Sequence, residues 1–541
     1  MSINEENLEL RTDVLVIGGG PAATWSAWSA ASRGATVHLV DKGFCGSSGA
    51  TASAGTGVWA VTPDGDERAK AKAQRESLGG YLADHDWMDR VLDQTWRNVE
   101  LIEQWGYPFP KEDGGSVRRN LQGPEYMRLM RKVVTRSGVR ILDQSPALEL
   151  LVDRNGIVAG ARGIQRQDNR SWTIRAGAVV IATGGCAFLS RALGCNTNTG
   201  DGYLFAAEAG GELTGMEFSN HFSIATAYGS VTKTAHYSWA VFTDEAGNDL
   251  DAVKAGHYSA STIARALLKG PVYAQLVKAK DRPEVREYLR SSQANFFLPL
   301  DRAGIDPFEQ RFPVTMLLEG TVRGTAGIRV IDGTCATTVP GLFAAGDAAT
   351  RHLICGGFTG GGSHNAAWAM SSGRWAGDGA ARFAQSLGTR PADRSVRRTG
   401  VAGLPNAELT SSIYDADEII AGVQGEMFPL DKNLFRSEQG LRASLGVLDG
   451  LWDDVHGAAA AVTARDVQKA REAAALVATG RWAYASALAR RETRGMHRRT
   501  DYPALDENQQ HTLVVSGLDD LWVRPAAQAP PVTELREAIA V

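Results

Sequence analysis

Val14, Leu15, Val16 and Ile17 form an unbroken apolar run of the kind that fills a parallel strand buried on both faces, and the run stops at Gly18, Gly19 and Gly20. The small-residue stretch PAATWSAWSAASRG (21–34) predicts a helix ending at Gly34, and ATVHLVDK predicts a second strand terminated by Asp41. Together they make one strand-helix-strand unit. Helical spacing returns over roughly 66–104 and again over 125–137. The segments VRILDQSPALELLVD (139–153) and GIVAGARGIQRQ (156–167) read as strands of a small antiparallel sheet, and AGAVVIATGG (176–185) returns the chain to the parallel one. From 223 to 325 the elements become short and mixed, with several prolines and aromatics, as in an inserted domain. VPGLFAAGDAA (339–349) is again a buried strand ending in glycine and acid, so the first domain resumes there. Beyond Pro391 the apolar positions of 438–455 and 464–491 keep helical spacing, which predicts a helical third region.

The glycines after the first strand change this picture from architecture to chemistry. Gly18, Gly20 and Ala23 fill a GxGxxG/A pattern: Gly18 permits a tight turn, Gly20 lets backbone approach a diphosphate, and Ala23 keeps the helix close to the sheet. The helix amino terminus, with Pro21 and Ala22, then faces the phosphates. Asp41, at the end of the second strand, is placed to accept ribose hydroxyl hydrogen bonds, with Lys42 beside it. GSSGATASAGTG (46–57) is too poor in side chains to pack a core and suits an extended dinucleotide, which favours FAD over NAD; its candidates are Ser48, Gly49, Ala50, Thr51, Gly55 and Thr56. Further contacts are expected at the strand ends Ala182, Thr183 and Gly184 and at Gly346 and Asp347. Ala147 and Asp201 complete this part of the set. GGGSHNAAWAMSSGRWAG (360–377) opens a helix through Ser363, His364, Asn365 and Ala366, whose positive end would stabilise charge on a reduced flavin ring.

Composition narrows the function classes. The chain has 541 residues, enough for two or three domains, since single cores stop growing near roughly 250–300 residues. A net charge of -4 argues against nucleic acid. No long apolar run exists: the best, AVVIAT (178–183), is strand-sized and far short of the ~20 residues that span a bilayer. The acidic amino terminus MSINEENLELR has no secretory pattern, so a cytoplasmic location is expected. Five cysteines without a CxxC, and ten histidines without HExxH, point to no metal site, so an iron-sulfur centre would sit on a partner.

Three separated segments carry a family resemblance. TGDGYLFAAEAGGELTGMEF (199–218), PGLFAAGDA (340–348) and RRETRGMHRRTDYP (490–503) are similar to motifs of the flavoprotein subunits of fumarate reductase, succinate dehydrogenase and L-aspartate oxidase, with adenylylsulfate reductase more distant. The resemblance implies an α/β fold: a Rossmann-like FAD-binding domain (1–222 and 326–390), an inserted α+β capping domain (223–325) and a C-terminal helical domain (391–541). It also implies hydride transfer between a small anionic organic substrate and FAD, with arginines and histidines gripping carboxylates. Several positions depart from the family's pattern. Asn220 replaces a glutamine and the histidine of MEFSNHF sits one place early; TVRGTAGI (321–328) has no histidine; ASTIARA (260–266) stands in place of the motif that supplies the catalytic arginine, with Ala260 where its acid would be; and GFTGGGSHNA (357–366) has lost a carboxylate-binding arginine. Gly49 falls near the position of the histidine that carries covalent flavin, so noncovalent FAD is expected. The catalytic candidates are therefore chosen by location: His221, Arg323, His236, Tyr237, Arg494 and His497, with Arg351 and His352 beside them. Alternatives are an electron-transfer subunit with an iron-sulfur or ferredoxin-like partner, an oxygen-using oxidase, and a scaffold that binds FAD only to fold.

Overall fold

A computed structural model of the chain describes residues 4–526 apart from 113–114, 233, 255–256, 360–361, 389, 391–393, 405–412, 457 and 460–462. The apolar run at Val14–Ile17 is the end of a longer strand, Asn4–Ile17, at the centre of an eight-stranded sheet. It pairs in parallel with Val37–Val40 on one side and Arg170–Ile181 on the other. Arg140–Leu142 extends one edge in parallel, and Leu342–Ala344 pairs in parallel with Val179–Ile181. Val14, Leu15, Val16, Val179, Val180 and Ile181 are fully or almost fully buried, as a sheet covered on both faces requires.

The expected separate antiparallel sheet is instead part of this one. Arg170–Ile181 is 12 residues long; its first half pairs antiparallel with Val158–Gln165, which pairs with Ala147–Asp153. One strand thus belongs to both halves: its apolar residues alternate with Thr173 and Arg175 through the antiparallel half, at Trp172, Ile174 and Ala176, and become continuous from Ala178 to Ile181 in the parallel half. Val396–Arg398 adds a further edge strand on Ala147–Asp153, past the expected end of the domain, beside residues 391–393, which lie outside the described set.

Two helices bring their amino termini to the carboxyl end of the sheet: Pro21–Ser32 and the 25-residue Gly362–Ser386. Small residues let them cross closely. A Cβ on Gly373 would lie 2.6 Å from the Ala22 carbonyl oxygen, and one on Gly377 would lie 2.2 Å from that of Ser26. The hydroxyls of Ser26 and Ser29 donate across the contact to the carbonyls of Gly373 and Arg374 at 3.0 and 2.7 Å.

The cap is a four-stranded antiparallel sheet, in the order His221–Thr226, Phe312–Glu319, Val272–Gln275 and Val241–Thr243, with its own aromatic core that includes Tyr237, Phe242, Phe296, Phe297 and Phe312. The C-terminal region is built on Ala416–Met427, Glu438–Asp454 and Ala464–Ala489, the last started by a capping box between Thr463 and Asp466. It is not helical throughout. Leu513–Ser516 and Trp522–Pro525 form a hairpin that pairs with Leu213–Thr214 and so stitches the tail to the first domain. Among the described residues, no helix is long and apolar enough to cross a membrane.

Candidate functional site

A cavity of about 500 Å³ opens at the carboxyl ends of the parallel strands, where open α/β sheets bind ligands. Its floor is the first strand-helix turn. Gly18 has φ +125°, and a Cβ there would meet the Ala182 carbonyl oxygen at 2.2 Å; Gly20 has nothing within 4 Å of its absent Cβ. The first glycine lets the backbone turn, and the second leaves its surroundings open. Gly18, Gly20, Pro21 and Ala22 line the cavity. Ala23 does not; it is fully buried in the domain core.

Asp41 lies at one end with its Oδ2 accepting from Ser48 Oγ at 2.6 Å, and burial pushes its carboxyl up against that hydrogen bond. Lys42 donates to Thr199 at 2.6 Å, Asp201 at 2.8 Å and Glu472 at 2.9 Å. Burial works against its charge, yet the two carboxylates hold it above the usual ammonium range. Glu472, from the long C-terminal helix, had no local sequence signal. Ser48, Gly49, Ala50, Thr51, Gly55 and Thr56 line one wall. Ala147, Ala182, Thr183, Gly184, Asp201, Gly346 and Asp347 face the same space.

The Gly362–Ser386 helix points its first turn into the cavity through Gly362, Asn365 and Ala366. Its expected glycine lead-in, 360–361, lies outside the described residues. Ser363 and His364 are not cavity-lining; the His364 ring packs on Trp59 at 4.6 Å between centroids. Two cavity-lining amides, Asn198 and Asn365, have a buried side-chain oxygen without a protein partner. Open space over Gly20, two helix amino termini and two orphaned acceptors are what a long, anionic, N–H-bearing dinucleotide needs.

The opposite end is closed by the cap, through Thr232, Thr234, Ala235 and Tyr258, together with Val322 and Arg323. Arg323 ends a single helical turn, Gly320–Arg323. Gly320 sits at φ +54°, where a Cβ would strike the Cys186 carbonyl oxygen at 2.1 Å, so the chain turns there and carries the guanidinium to the wall. Arg323 pairs with Glu319 at 3.2 Å. Glu319 is fully buried and also accepts from Ser223 at 2.7 Å and Thr232 at 2.8 Å.

The other catalytic candidates are placed elsewhere. His221 is not among the lining residues. Because the Ser223 hydroxyl donates to Glu319, His221 Nε2 donates to Ser223, at 3.1 Å. His236 and Tyr237 follow Ala235 but turn into the cap core, where His236 packs on Phe296 and Phe297 and Tyr237 on Phe242. Arg494 is fully engaged: its guanidinium donates to Glu492 and to the carbonyls of Gly80 and Asp506. His497 accepts from Arg436 at 2.9 Å and donates Nε2–H to the Arg490 carbonyl at 3.2 Å. Both ring nitrogens are used by structure. Arg351 ties Asp347 to the carbonyls of Thr321, Val322 and Gly324, which fixes the turn that carries Arg323. His352 Nδ1 lies 2.6 Å from the Thr350 hydroxyl.

The comparisons with known proteins decide the family. The FAD binding domain family matches residues 13–366, and the fumarate reductase flavoprotein C-terminal family matches 427–530. The chain belongs to the fumarate reductase and succinate dehydrogenase family of FAD-binding flavoproteins. The flavoprotein is an FAD-dependent oxidoreductase. It is 27% identical to a Mycobacterium tuberculosis fumarate reductase flavoprotein subunit over 93% of this chain and 94% of that one. It is 28% identical to a Mycobacterium bovis L-aspartate oxidase, over 94% and 96%. Its fold matches Mycobacterium smegmatis Sdh1 with a TM-score of 0.81 (22% identity, 98% of each chain) and adenylylsulfate reductase from Archaeoglobus fulgidus with 0.77 (20% identity, 98% of each chain).

Buried histidines give the flavoprotein an acid weakness. Burial, reinforced by nearby arginines, pushes His221 and His364 down to about 3 and His352 to about 4 from the ordinary 6.5. The folded form is neutral there while the unfolded chain takes up protons, so stability is whole above pH 6.5 and is lost as pH falls toward 4. Each such histidine removes up to about 1.4 kcal/mol per pH unit below 6.5. The thermal midpoint is expected to fall steeply from pH 7 to pH 5 in a calorimetric pH series; a flat profile would contradict the neutral, buried state.

Proposed function

We propose that the flavoprotein binds a small anionic organic substrate between the FAD-binding domain and the cap, and exchanges a hydride between it and noncovalently held FAD. The observation that carries this reading is Arg323, a cap-side guanidinium lining the same cavity as the dinucleotide residues. FAD supplies the two-electron, hydride-level chemistry. In this reading Gly18, Gly20 and the two helix amino termini hold the diphosphate, Asp41 the ribose, and Asn198 and Asn365 the remaining polar edges. Gly49, in place of a flavin-linking histidine, supports noncovalent attachment. Arg323 grips the carboxylate, held in its rotamer by Glu319, while the hydroxyl-rich cap wall of Thr232 and Thr234 excludes water and fills the remaining hydrogen bonds. The flavoprotein works in the cytoplasm in this reading. Because the M. tuberculosis relative is a flavoprotein subunit by name, an iron-sulfur or ferredoxin-like electron partner accompanies the proposal.

The test is to reduce the purified yellow protein anaerobically and follow its reoxidation by fumarate and other small acids, by oxygen and by ferredoxin. Reoxidation by an acid is expected, and Arg323→Ala should lower kcat/KM about 100-fold while leaving flavin content unchanged. Fast reoxidation by ferredoxin or oxygen, with none by any acid, would sink the acid-substrate reading. A colourless purified chain would contradict the FAD site itself.

A further inference from the structure

We propose that Tyr258 is the proton-exchanging catalytic residue of this site, a role carried by none of the candidates named from the sequence. The inference rests on the hydride-transfer reading above. A hydride added to one atom of a double bond leaves the neighbouring atom in need of a proton, so the cavity must present an acid to that atom.

The described titratable residues that line the cavity are Asp41, Lys42, Tyr126, Asp201, Tyr258, Arg323 and Asp347. Six of them have other duties. Lys42 is locked to Asp201 and Glu472, Asp41 accepts from Ser48, Asp347 accepts from Arg351, Arg323 pairs with Glu319, and the Tyr126 hydroxyl accepts the Trp25 indole N–H at 2.7 Å. Tyr258 differs: among the described residues its hydroxyl makes no hydrogen bond, and it lines the cap end of the cavity with Thr232, Thr234 and Arg323.

Its position is fixed from behind. The strand pair Val253 and Tyr258 sets the backbone, the Ser259 N–H donates to the Ala252 carbonyl at 2.7 Å, and the Ser259 hydroxyl caps the helix Ala260–Leu267. The ring packs edge-on against Tyr237 at 6.0 Å. Three ionisable side chains set its chemistry. Burial raises the phenol, the Arg323 guanidinium lowers it and the Glu319 carboxylate raises it, while Tyr237 beside it is itself held neutral by burial. The phenol is therefore protonated at neutral pH, and the guanidinium stabilises the phenolate that forms when it reacts.

In the reducing direction bound FAD would supply the hydride to one carbon of the substrate double bond, and the neighbouring atom receives the proton as the Tyr258 Oη–H bond breaks. Water then returns a proton to the phenolate. The substrate gains two electrons and two hydrogens, one as hydride and one as proton; the oxidising direction is the reverse.

The experiment uses the holoprotein, reduced anaerobically and mixed in a stopped-flow instrument with fumarate, crotonate or oxaloacetate. Tyr258→Phe is expected to keep FAD, thermal midpoint and acid binding, to slow reoxidation by the best of these acids about 100- to 1,000-fold, and to abolish its solvent deuterium isotope effect. Reoxidation by ferricyanide, which needs no proton, should not change. Wild-type rates in Tyr258→Phe would overturn the proposal. If no acid reoxidises the wild type, the hydride-transfer reading fails on its own terms, and a second measurement still judges Tyr258. The Tyr258→Cys holoprotein should react at that position with a methanethiosulfonate reagent, and fumarate should protect it; an unreactive Tyr258→Cys would show that the cavity does not present this position and would overturn the assignment.

Discussion

Gly20→Val is expected to give a folded chain that purifies without flavin, whereas Gly18→Val is expected not to fold. The two glycines are two residues apart in one turn but do different work. A Cβ at Gly18 would overlap the Ala182 carbonyl, which the sheet cannot move, and φ +125° is a region that a β-branched residue does not adopt. The Gly18 N–H also donates to the Val40 carbonyl at 2.8 Å, so a shift there breaks the pairing of the first two parallel strands. At Gly20 no protein atom lies within 4 Å of the added Cβ. The isopropyl group enters the cavity instead, over the first turn of the Pro21–Ser32 helix, where a diphosphate would approach the backbone. The expected loss of FAD affinity is about 3 kcal/mol or more, over 100-fold. The ratio of absorbance near 450 nm to that at 280 nm, with the apoprotein's circular dichroism, reads both outcomes. Stoichiometric flavin in Gly20→Val would mean that the dinucleotide does not cross this turn.

The same turn explains why so much of the lining of this cavity is legible in the sequence. A strand buried on both faces, a glycine turn and a helix start are local events, and each leaves a signature within about 30 residues. The failures come where a position is set by distant chain. Ala23 matched a motif position whose purpose is helix-sheet packing, so it lies in the core behind the cavity. Ser363 and His364 sit at the right depth of the second helix, but the 100° turn per residue gives the inward face to Gly362, Asn365 and Ala366. The antiparallel strands 147–153 and 158–165 were legible as strands, yet their union with the main sheet depends on the length of Arg170–Ile181.

The cap end of the cavity was harder to read because the cap contributes it through loops. His236 and Tyr237 were chosen for chemistry, and the cap core took them for packing, leaving small Thr232, Thr234 and Ala235 on the wall. Tyr258 carried a usable signal: it lies two residues before ASTIARA (260–266), the segment that stands in place of the family's catalytic-arginine motif. Asn198 carried another, in the polar cluster directly ahead of TGDG. Glu319, whose carboxylate links Ser223, Thr232 and Arg323, had none, since its partners are up to 96 residues away.

Glu492→Ala is expected to be the most destabilising change outside the main sheet, and to leave the chemistry per bound flavin intact. The Glu492 carboxylate receives Arg490 at 2.8 Å and Arg494 at 2.6 Å, and also the Asp506 backbone N–H at 2.8 Å. Arg490 pairs in turn with Glu217 at 2.8 Å, and all four side chains are fully buried. Removing the central carboxylate leaves two buried guanidiniums sharing one counter-charge, at a cost of about 3–5 kcal/mol. The effect reaches three segments at once. Arg494 also donates to the Gly80 carbonyl, and Arg490 lies over the Phe218 ring at 5.3 Å, so the cluster clamps the turn from which the first cap strand departs. A large fall in thermal midpoint with unchanged turnover per flavin would make Arg494 and His497 structural, despite the motif that marks them. Turnover lost at unchanged stability would instead return this arginine lattice to the active site.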